Sequence, residues 1–181
     1  YGPNDNFDFE KSHVLPALIR KIHLAKLLSE LKFKEILEDI NFDSSDKARQ
    51  FLSKIGVTEA NVEIWGTGEP RREFLWSEDM AEACVFIMEN RDFVDTYPKS
   101  QNEIINTHIN IGTGIDISIG ELAEMVKSVI GYEGNLIYNS NKPDGTQRKL
   151  TNVSKIKSLG WHHKIDIKEG IEKLYTWFLN K

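Results

Sequence analysis

A tryptophan and two adjacent arginines stand close together in the stretch IWGTGEPRREF, which begins at Ile64. A diphosphate accepts paired hydrogen bonds from guanidinium groups, and the flat ring of a tryptophan can contact the face of a base or a sugar. Trp65, Arg71 and Arg72 therefore suit a nucleotide diphosphate. The alternative is a solvated pair of arginines beside a structural tryptophan, and composition alone favours that alternative.

A second basic element follows a carboxylate in the segment KPDGTQRKL, which begins at Lys142. Arg148 and Lys149 offer cations for phosphate groups, and Asp144 offers an acceptor for donor groups of a guanine or a ribose. The segment can therefore close over the same ligand as Arg72. By itself, Pro-Asp-Gly is only a turn signal.

Two glycines follow an apolar run in the stretch HINIGTG, where a dinucleotide-binding loop is one interpretation. The fingerprint of such a loop is Gly-x-Gly-x-x-Gly, and Ile117 occupies the position of its third glycine. We therefore interpret Gly112 and Gly114 as a tight turn that leads into the next helix.

His13 is the histidine whose position best suits acid-base chemistry, because it lies at the predicted N-terminus of a helix. The positive end of the helix dipole favours a neutral imidazole, which can exchange protons near neutral pH. The alternative is a capping or packing role, which the position alone favours. His162 and His163 lack partners at the spacing of metal ligands, and we predict no metal site.

A mixed α/β fold must position these residues, because helical and strand patterns alternate along the chain. Ser12 is the predicted cap of a first helix and Ser77 that of another, while Ser118 and Glu121 form a Ser-x-x-Glu capping box for a third. Residues 27–60 are rich in Lys and Glu and are interpreted as a helical insertion on the surface. Predicted strands cover residues 62–65, 72–75 and 108–111 and a stretch beginning at Asn135, and an amphipathic helix covers residues 167–179.

The composition excludes several classes of partner. With 23 Lys and Arg against 28 Asp and Glu, the net charge of −5 argues against a nucleic acid or an anionic membrane as the main ligand. The single cysteine, Cys84, rules out an intrachain disulfide and a cysteine-based zinc site, and it favours a cytoplasmic location. The chain opens with Tyr-Gly-Pro, a turn that usually follows a strand, so we expect it to be the C-terminal part of a longer protein.

Four motifs taken in order resemble the C-terminal part of the GDP-L-fucose synthase family. They are YGPNDNFDFEKSHVLPALIRKIHLAK, VEIWGTGEPRREFLWSEDMAEACVFIME, INIGTGIDISIGELAEMVKSVIGY and KPDGTQRKL with KIKSLGW. Members of that family are NADPH-dependent GDP-4-keto-6-deoxymannose epimerase-reductases among the extended short-chain dehydrogenase/reductases. The resemblance covers nearly everything outside residues 27–60.

The resemblance implies an α/β fold in which residues 1–181 are mainly a GDP-sugar-binding lobe. An NADP-binding Rossmann lobe would lie upstream of residue 1, and residues 77–112 would contribute to it or pack on it. It further implies that the full-length enzyme converts GDP-4-keto-6-deoxy-D-mannose to GDP-L-fucose, is a homodimer, and contains an upstream Ser, a Tyr-x-x-x-Lys motif and a catalytic Cys. Without those groups, this chain alone is predicted to be inactive.

The resemblance also implies roles for five residues. His13 matches the acid-base residue that acts on the sugar ring beside the nicotinamide, so it counts as both catalytic and cofactor-binding. Lys21 falls at a substrate-contacting basic position. Trp65 and Arg72 match the GDP-binding pair, with Arg72 preferred to Arg71, and Asp144 matches a further nucleotide contact.

Three departures from the family pattern leave the substrate open. Lys21 stands where many relatives carry Arg, Trp76 replaces a residue that is often His or Tyr, and the helical insertion is longer than in typical members. A GDP-4-keto-6-deoxy-heptose is therefore a second possible substrate. A 4,6-dehydratase or 4-epimerase of the same fold also stays open, as does a nucleotide-sugar-binding module without catalytic activity.

Overall fold

The computed structural model of the protein describes residues 1–97 and 103–181. Helices and strands alternate, as the sequence patterns predict. The helices are α1 (Val14–Ser29), α2 (Phe33–Ile40), α3 (Ser45–Lys54), α4 (Ser77–Asn90), α5 (Ile119–Ile130), α6 (Ser154–Ser158) and α7 (Ile167–Leu179), with a 3-10 turn at Phe93–Asp95. The strands are β1 (Asn61–Trp65), β2 (Arg71–Glu73), β3 (Asp116–Ser118), β4 (Asn135–Asn139) and β5 (Arg148–Lys149).

The chain divides into two compact units, each assembled from separate stretches of sequence. One, which we call the α1 unit, consists of Asn4–Pro70 and Ser118–Gln147. The other, which we call the α4 unit, consists of Tyr1–Pro3, Arg71–Ile117 and Arg148–Lys181.

The α1 unit is organised around its first helix. Strands β1 and β4 pair in parallel, with Val62 opposite Leu136, and α1 packs against β1, α2 and α5. Apolar residues recur along α1 at helical spacing, and Leu15, Ile19 and Ile22 are fully buried. Burying such side chains stabilises the unit by about 1.5 to 3 kcal/mol each.

Helices α2 and α3 occupy much of the predicted insertion. Helix α2 ends at Ile40, and the next residue, Asn41, has a left-handed φ of 55° that stops the helix. Gly56 follows α3 with a φ of 76°. Helix α1 continues to Ser29, past the predicted start of the insertion at residue 27. The assignment of residues 27–60 as an insertion stays a prediction.

The α4 unit contains a three-stranded sheet in the order β3-β2-β5 and a separate apolar cluster. Ala83 of α4 packs in that cluster with Val153, Ile156 and Trp161. The cluster also collects partly buried side chains, namely Leu75, Phe86, Ile87, Ile109 and Ile111.

The predicted strand at residues 108–111 is wrong, because these residues form no strand. Ile109 and Ile111 do pack inward, as the apolar alternation indicates. A strand also needs a neighbouring ladder for its backbone groups. Here the carbonyl of His108 instead accepts a hydrogen bond from Nζ of Lys155 at 2.8 Å. The alternation therefore indicated burial correctly and strand pairing incorrectly.

Candidate functional site

His13 is the N-cap residue of α1, with φ −70° and ψ 164°. A turn precedes it, in which the carboxylate of Asp8 accepts hydrogen bonds from the N–H groups of Glu10 and Lys11. The N–H of Ser12 donates to the carbonyl of Asp8 at 3.2 Å, so Ser12 belongs to this turn. The prediction that Ser12 caps the helix is therefore wrong by one residue. His13 itself is exposed at the helix N-terminus.

A cavity of about 770 Å³ lies along one face of α1. Its volume is within the range typical of small-molecule sites. Ser12 and Val14 both line it, but His13, the exposed residue between them, is not part of the lining. Lys21 also lines the cavity. It lies about 12 Å from His13 along the helix axis, at about 1.5 Å per residue. Trp65, the last residue of β1, completes a cavity that joins two of the predicted substrate-binding residues.

Lys21 is the only basic residue lining this cavity in the described part of the chain. Its Nζ donates to the carbonyl of Glu63 at 3.2 Å. Burial lowers the pKa of Lys21, and the nearby charge of Glu63 opposes that effect. An anionic group bound beside Nζ would stabilise the charged form further.

Trp65 leaves 64% of its surface exposed, which is unusual for so large an apolar side chain. Nζ of Lys142 lies 4.9 Å from the centre of one of its rings. The ring face is therefore suited to a flat or cationic group, and a base stacking there would compete with Lys142.

Asp144 connects its loop to the turn that follows β1 through two hydrogen bonds. One carboxylate oxygen accepts a hydrogen bond from the N–H of Thr67 at 2.9 Å, and the other accepts one from its hydroxyl at 2.8 Å. Gly66 has a φ of 82°, and a Cβ there would lie 2.2 Å from Oδ1 of Asp144. The turn thus requires glycine at this position. Direct contact of Asp144 with a nucleotide stays a prediction.

Arg72 belongs to the α4 unit, where it stands in β2 beside Lys149 of β5. The same register pairs Arg71 with Arg148. Because side chains alternate along a strand and paired residues share a face, Arg72 and Lys149 are on one face while Arg71 and Arg148 are on the other. Each face of this sheet therefore carries two basic residues.

The single carboxylate of Asp116 pairs with both arginines of the Arg71 face. Nε of Arg71 donates to Oδ1 of Asp116 at 2.9 Å, and Nε of Arg148 donates to the other carboxylate oxygen. The hydrogen bonds from Arg148 and Arg71 hold the pKa of Asp116 below its ordinary value. Arg71 and Arg148 are thus engaged within the sheet. Nη1 of Arg72 also donates a hydrogen bond to the carbonyl of Arg71 at 2.7 Å, and the preference for Arg72 as the ligand-binding arginine stays a prediction. Asp116 was not predicted as a functional residue, although the sequence shows this acidic residue directly before the apolar Ile117.

The glycine turn after residue 111 does not fit a cofactor pyrophosphate. The N–H of Gly114 donates to Oε1 of Glu73 at 2.6 Å, and the hydroxyl of Thr113 donates to the same oxygen at 3.3 Å. A Cβ at Gly112 would lie 2.5 Å from this oxygen. A carboxylate therefore occupies the donors that a phosphate would need, and its charge would repel one. The interpretation as a tight turn agrees with this geometry.

The described residues contain neither a candidate metal site nor a candidate membrane-spanning helix. Residues 1–97 and 103–181 contain no group of three or more His, Cys, Asp or Glu side chains arranged to hold a metal ion. Within the same ranges, none of the helices combines the length and the apolar character needed to cross a bilayer.

Comparison with known proteins gives one family and several relatives. Residues 1–112 match the model of the NAD dependent epimerase/dehydratase family. The chain is 41% identical over 179 residues to the putative GDP-L-fucose synthase 2 of Arabidopsis thaliana, a match that covers 99% of this chain and 42% of that protein.

Two solved structures from Campylobacter jejuni resemble the chain more strongly. One is a GDP-mannoheptose C4 reductase with NADP bound, 49% identical with a TM-score of 0.88 over 99% of this chain and 50% of its own. The other is a GDP-D-glycero-L-gluco-heptose synthase in the presence of NADPH, 49% identical with a TM-score of 0.89 over 100% of this chain and 50% of its own. The chain thus spans about half the length of the relatives it matches.

Proposed function

This chain belongs to the NAD dependent epimerase/dehydratase family, and we propose that it forms the GDP-sugar-binding part of an NADPH-dependent epimerase-reductase. The sequence expectation is conversion of GDP-4-keto-6-deoxy-D-mannose to GDP-L-fucose. The mixed α/β structure with parallel strand pairs agrees with the fold of this family. Relatives named GDP-L-fucose synthase support the reaction class.

The observation that carries the proposal is the cavity along α1. It joins Lys21 and Trp65, two residues that the family pattern assigns to the substrate, and the two chain neighbours of His13 also line it. Arg72 and Lys149, on the same face of the α4-unit sheet, are a pair of cations suited to a diphosphate. Each unit thus carries groups that a nucleotide sugar requires.

The proposed role of His13 is to carry protons to and from the sugar carbons. A carbonyl at C4 acidifies the C–H bonds at C3 and C5, so a base removes a proton and an acid returns one to the opposite face. His13 is exposed at the N-terminus of α1, so its imidazole is accessible to a ligand. When bound, NADPH supplies the hydride that reduces C4. The turn at Gly112 and Gly114 does not fit its pyrophosphate, so we place the cofactor mainly on other parts of the full-length protein.

The second candidate is the same chemistry on a GDP-4-keto-6-deoxy-heptose. The 49% identity to the two GDP-heptose enzymes, against 41% to the GDP-L-fucose synthase relative, favours this substrate. Coverage of residues 27–60 does not distinguish the two substrates, because the matches to both kinds of enzyme cover at least 99% of this chain.

The test is turnover by the full-length protein with each 4-keto-sugar and NADPH in D₂O. NADPH oxidation measures reduction at C4, and NMR of the product measures deuterium at C3 and C5. We expect both signals with one of the two sugars, and the ratio of kcat/KM values identifies which. Absence of turnover with both sugars, in protein that binds NADPH, would overturn the proposal.

Three finer features belong to the same proposal. We place the enzyme in the cytoplasm, as a homodimer, with residues 77–112 contributing to or packing on the cofactor lobe. The single cysteine supports the first. Light scattering of the full-length protein tests the second, and a structure of that protein tests the third.

A further inference from the structure

We infer that the helical segment 33–54 is part of the nucleotide site, with Phe51 of α3 forming an aromatic wall for the guanine base. The inference deepens the proposed function and rests on it. It assigns a role to a segment that the family pattern leaves without one.

Phe51 lines the same cavity as Lys21 and Trp65. Two neighbouring rings hold it in place. The ring of Phe9 lies edge-to-face against it with centroids 5.4 Å apart, and the ring of Phe42 lies at 5.3 Å. Phe51 therefore presents a positioned ring to the cavity.

Phe9 lines the cavity beside Phe51, and Arg20 fixes its position. The guanidinium carbon of Arg20 lies 3.9 Å from the centre of the Phe9 ring. The same guanidinium donates to the carbonyl of Phe7 at 3.0 Å and to Oδ1 of Asp39 in α2 at 2.8 Å. Charge-assisted bonds of this kind restrict the arginine to one geometry. Helices α1, α2 and α3 thus hold the two rings in a prearranged wall.

The charges lining the cavity favour a base over the phosphates. Besides Lys21, three acidic residues line the cavity, namely Asp8, Glu10 and Glu63. A diphosphate beside one cation and three anions would be repelled. A neutral base would place its flat faces against the aromatic rings, where stacking contributes about 1 to 3 kcal/mol.

The carboxylates also favour guanine among the bases. An ionised carboxylate only accepts hydrogen bonds. The Watson–Crick edge of guanine presents two adjacent donors, its N1–H and its 2-amino group, whereas the edge of adenine presents a donor next to an acceptor. Glu10 and Glu63 are therefore better matched to guanine, with Phe51 supplying the stacking surface.

The experiment is calorimetric titration of GDP into the full-length protein and three variants. Phe51→Ala removes the wall, and Phe51→Tyr keeps the ring. Phe33→Ala is the matched control, because Phe33 lies in the same helical segment, contacts Arg49 and does not line the cavity. We expect Phe51→Ala to weaken GDP binding about five- to a hundredfold, while the other two variants stay within about threefold of the unmodified protein.

Two readouts keep the inference falsifiable if Phe51→Ala folds poorly. Phe51→Leu keeps apolar volume while losing the aromatic face, and it should still weaken GDP binding at least about fivefold. NADPH affinity should be unchanged in every variant. Equal GDP affinities for the unmodified protein, Phe51→Leu and Phe51→Ala would overturn the inference and leave the proposed function standing. An unmodified protein that binds no GDP would overturn both.

Discussion

The helices α1 and α4 differ in how much of their apolar surface is buried. Helix α1 buries nine of its residues, including Leu15, Ile19 and Ile22. Helix α4 is nearly as long and buries only Asp79 and Ala83. On α4, Val85 is 50% exposed and Met88 is 81% exposed.

This difference indicates that the α1 unit and the α4 unit have different functions. The α1 unit forms its cavity entirely from its own residues. In the described part of the chain, α4 has no element covering the side that carries Val85 and Met88, and apolar surface of this kind often marks an interface. We therefore expect the α1 unit to supply the cavity for the base, and the α4 unit to supply Arg72 together with the surface that assembles with other parts of the protein.

The largest effect is expected at His13, which lies between two residues that line the cavity. In the full-length protein, His13→Gln should slow proton exchange at C3 and C5 about a hundred- to ten-thousandfold, because general acid-base groups typically contribute that much. Hydride transfer should be affected much less. Incubation in D₂O, with deuterium and NADPH followed separately, distinguishes the two steps.

His162→Gln is a matched control, because His162 is also exposed but belongs to the α4 unit. It should exchange deuterium at the unmodified rate. If His13→Gln also exchanges at that rate, His13 is only a helix-terminal group, and the α1 unit binds the sugar without acting on it.

The next effect concerns the two faces of the α4-unit sheet. Arg72→Ala should weaken GDP binding about ten- to a hundredfold, because a charge-assisted bond to phosphate contributes about 1.5 to 3 kcal/mol. Arg71→Ala should lower stability instead, because Asp116 engages its guanidinium. Titration calorimetry and urea unfolding on both variants separate these outcomes. Equal losses of GDP affinity would contradict the assignment of the two faces.

Local signals in the sequence were sufficient for most elements, whereas the roles of the candidate site residues stay predictions. The capping box of Ser118 and Glu121 forms as predicted, with the Glu121 N–H donating to the serine hydroxyl at 3.0 Å. The helix at Ile167–Leu179 has the predicted bounds. These features depend on neighbours within four residues, which a sequence displays directly.

Features that depend on distant partners were not predictable in the same way. The strand expected at residues 108–111 does not form. The carbonyl of His108 instead accepts a hydrogen bond from Lys155, which is 47 residues away in the sequence. The contribution of Phe51 to the cavity depends on Phe9, far earlier in the chain. No periodicity or residue spacing in the sequence indicates the contact between Lys155 and His108 or the contact between Phe9 and Phe51. The two units themselves are discontinuous in sequence, so no composition shift marks their boundaries.

A smaller effect, on stability, is expected at Glu73. Burial would raise its pKa, but hydrogen bonds from Gly114, Thr151 and Thr113 outweigh burial and lower it below the ordinary 4.5. A lowered folded pKa contributes stability that is present above pH 4.5 and is lost as the pH falls through the folded value. Glu73→Gln should therefore cost about 1 to 3 kcal/mol near pH 7 and less near pH 3. Urea unfolding at both pH values, with exposed Glu89→Gln as control, measures this. A cost independent of pH would contradict the role of the charge.

The smallest effect is expected at Met88 in this chain, and it tests the contrast between the two units most directly. In the 181-residue chain, Met88→Ser should change the free energy of unfolding by no more than about 0.5 kcal/mol, because the side chain is mostly exposed. In the full-length protein, where we expect α4 to be covered, the same change should cost at least about 1 kcal/mol, since burying a methionine contributes about 1.5 to 3 kcal/mol. Leu31→Ser is the control in the α1 unit, because Leu31 is 66% exposed and should matter little in either form. Urea unfolding of both forms gives the comparison. If Met88→Ser is equally mild in both, the open side of α4 is not an interface, and assembly does not depend on the α4 unit in the way that its exposed surface indicates.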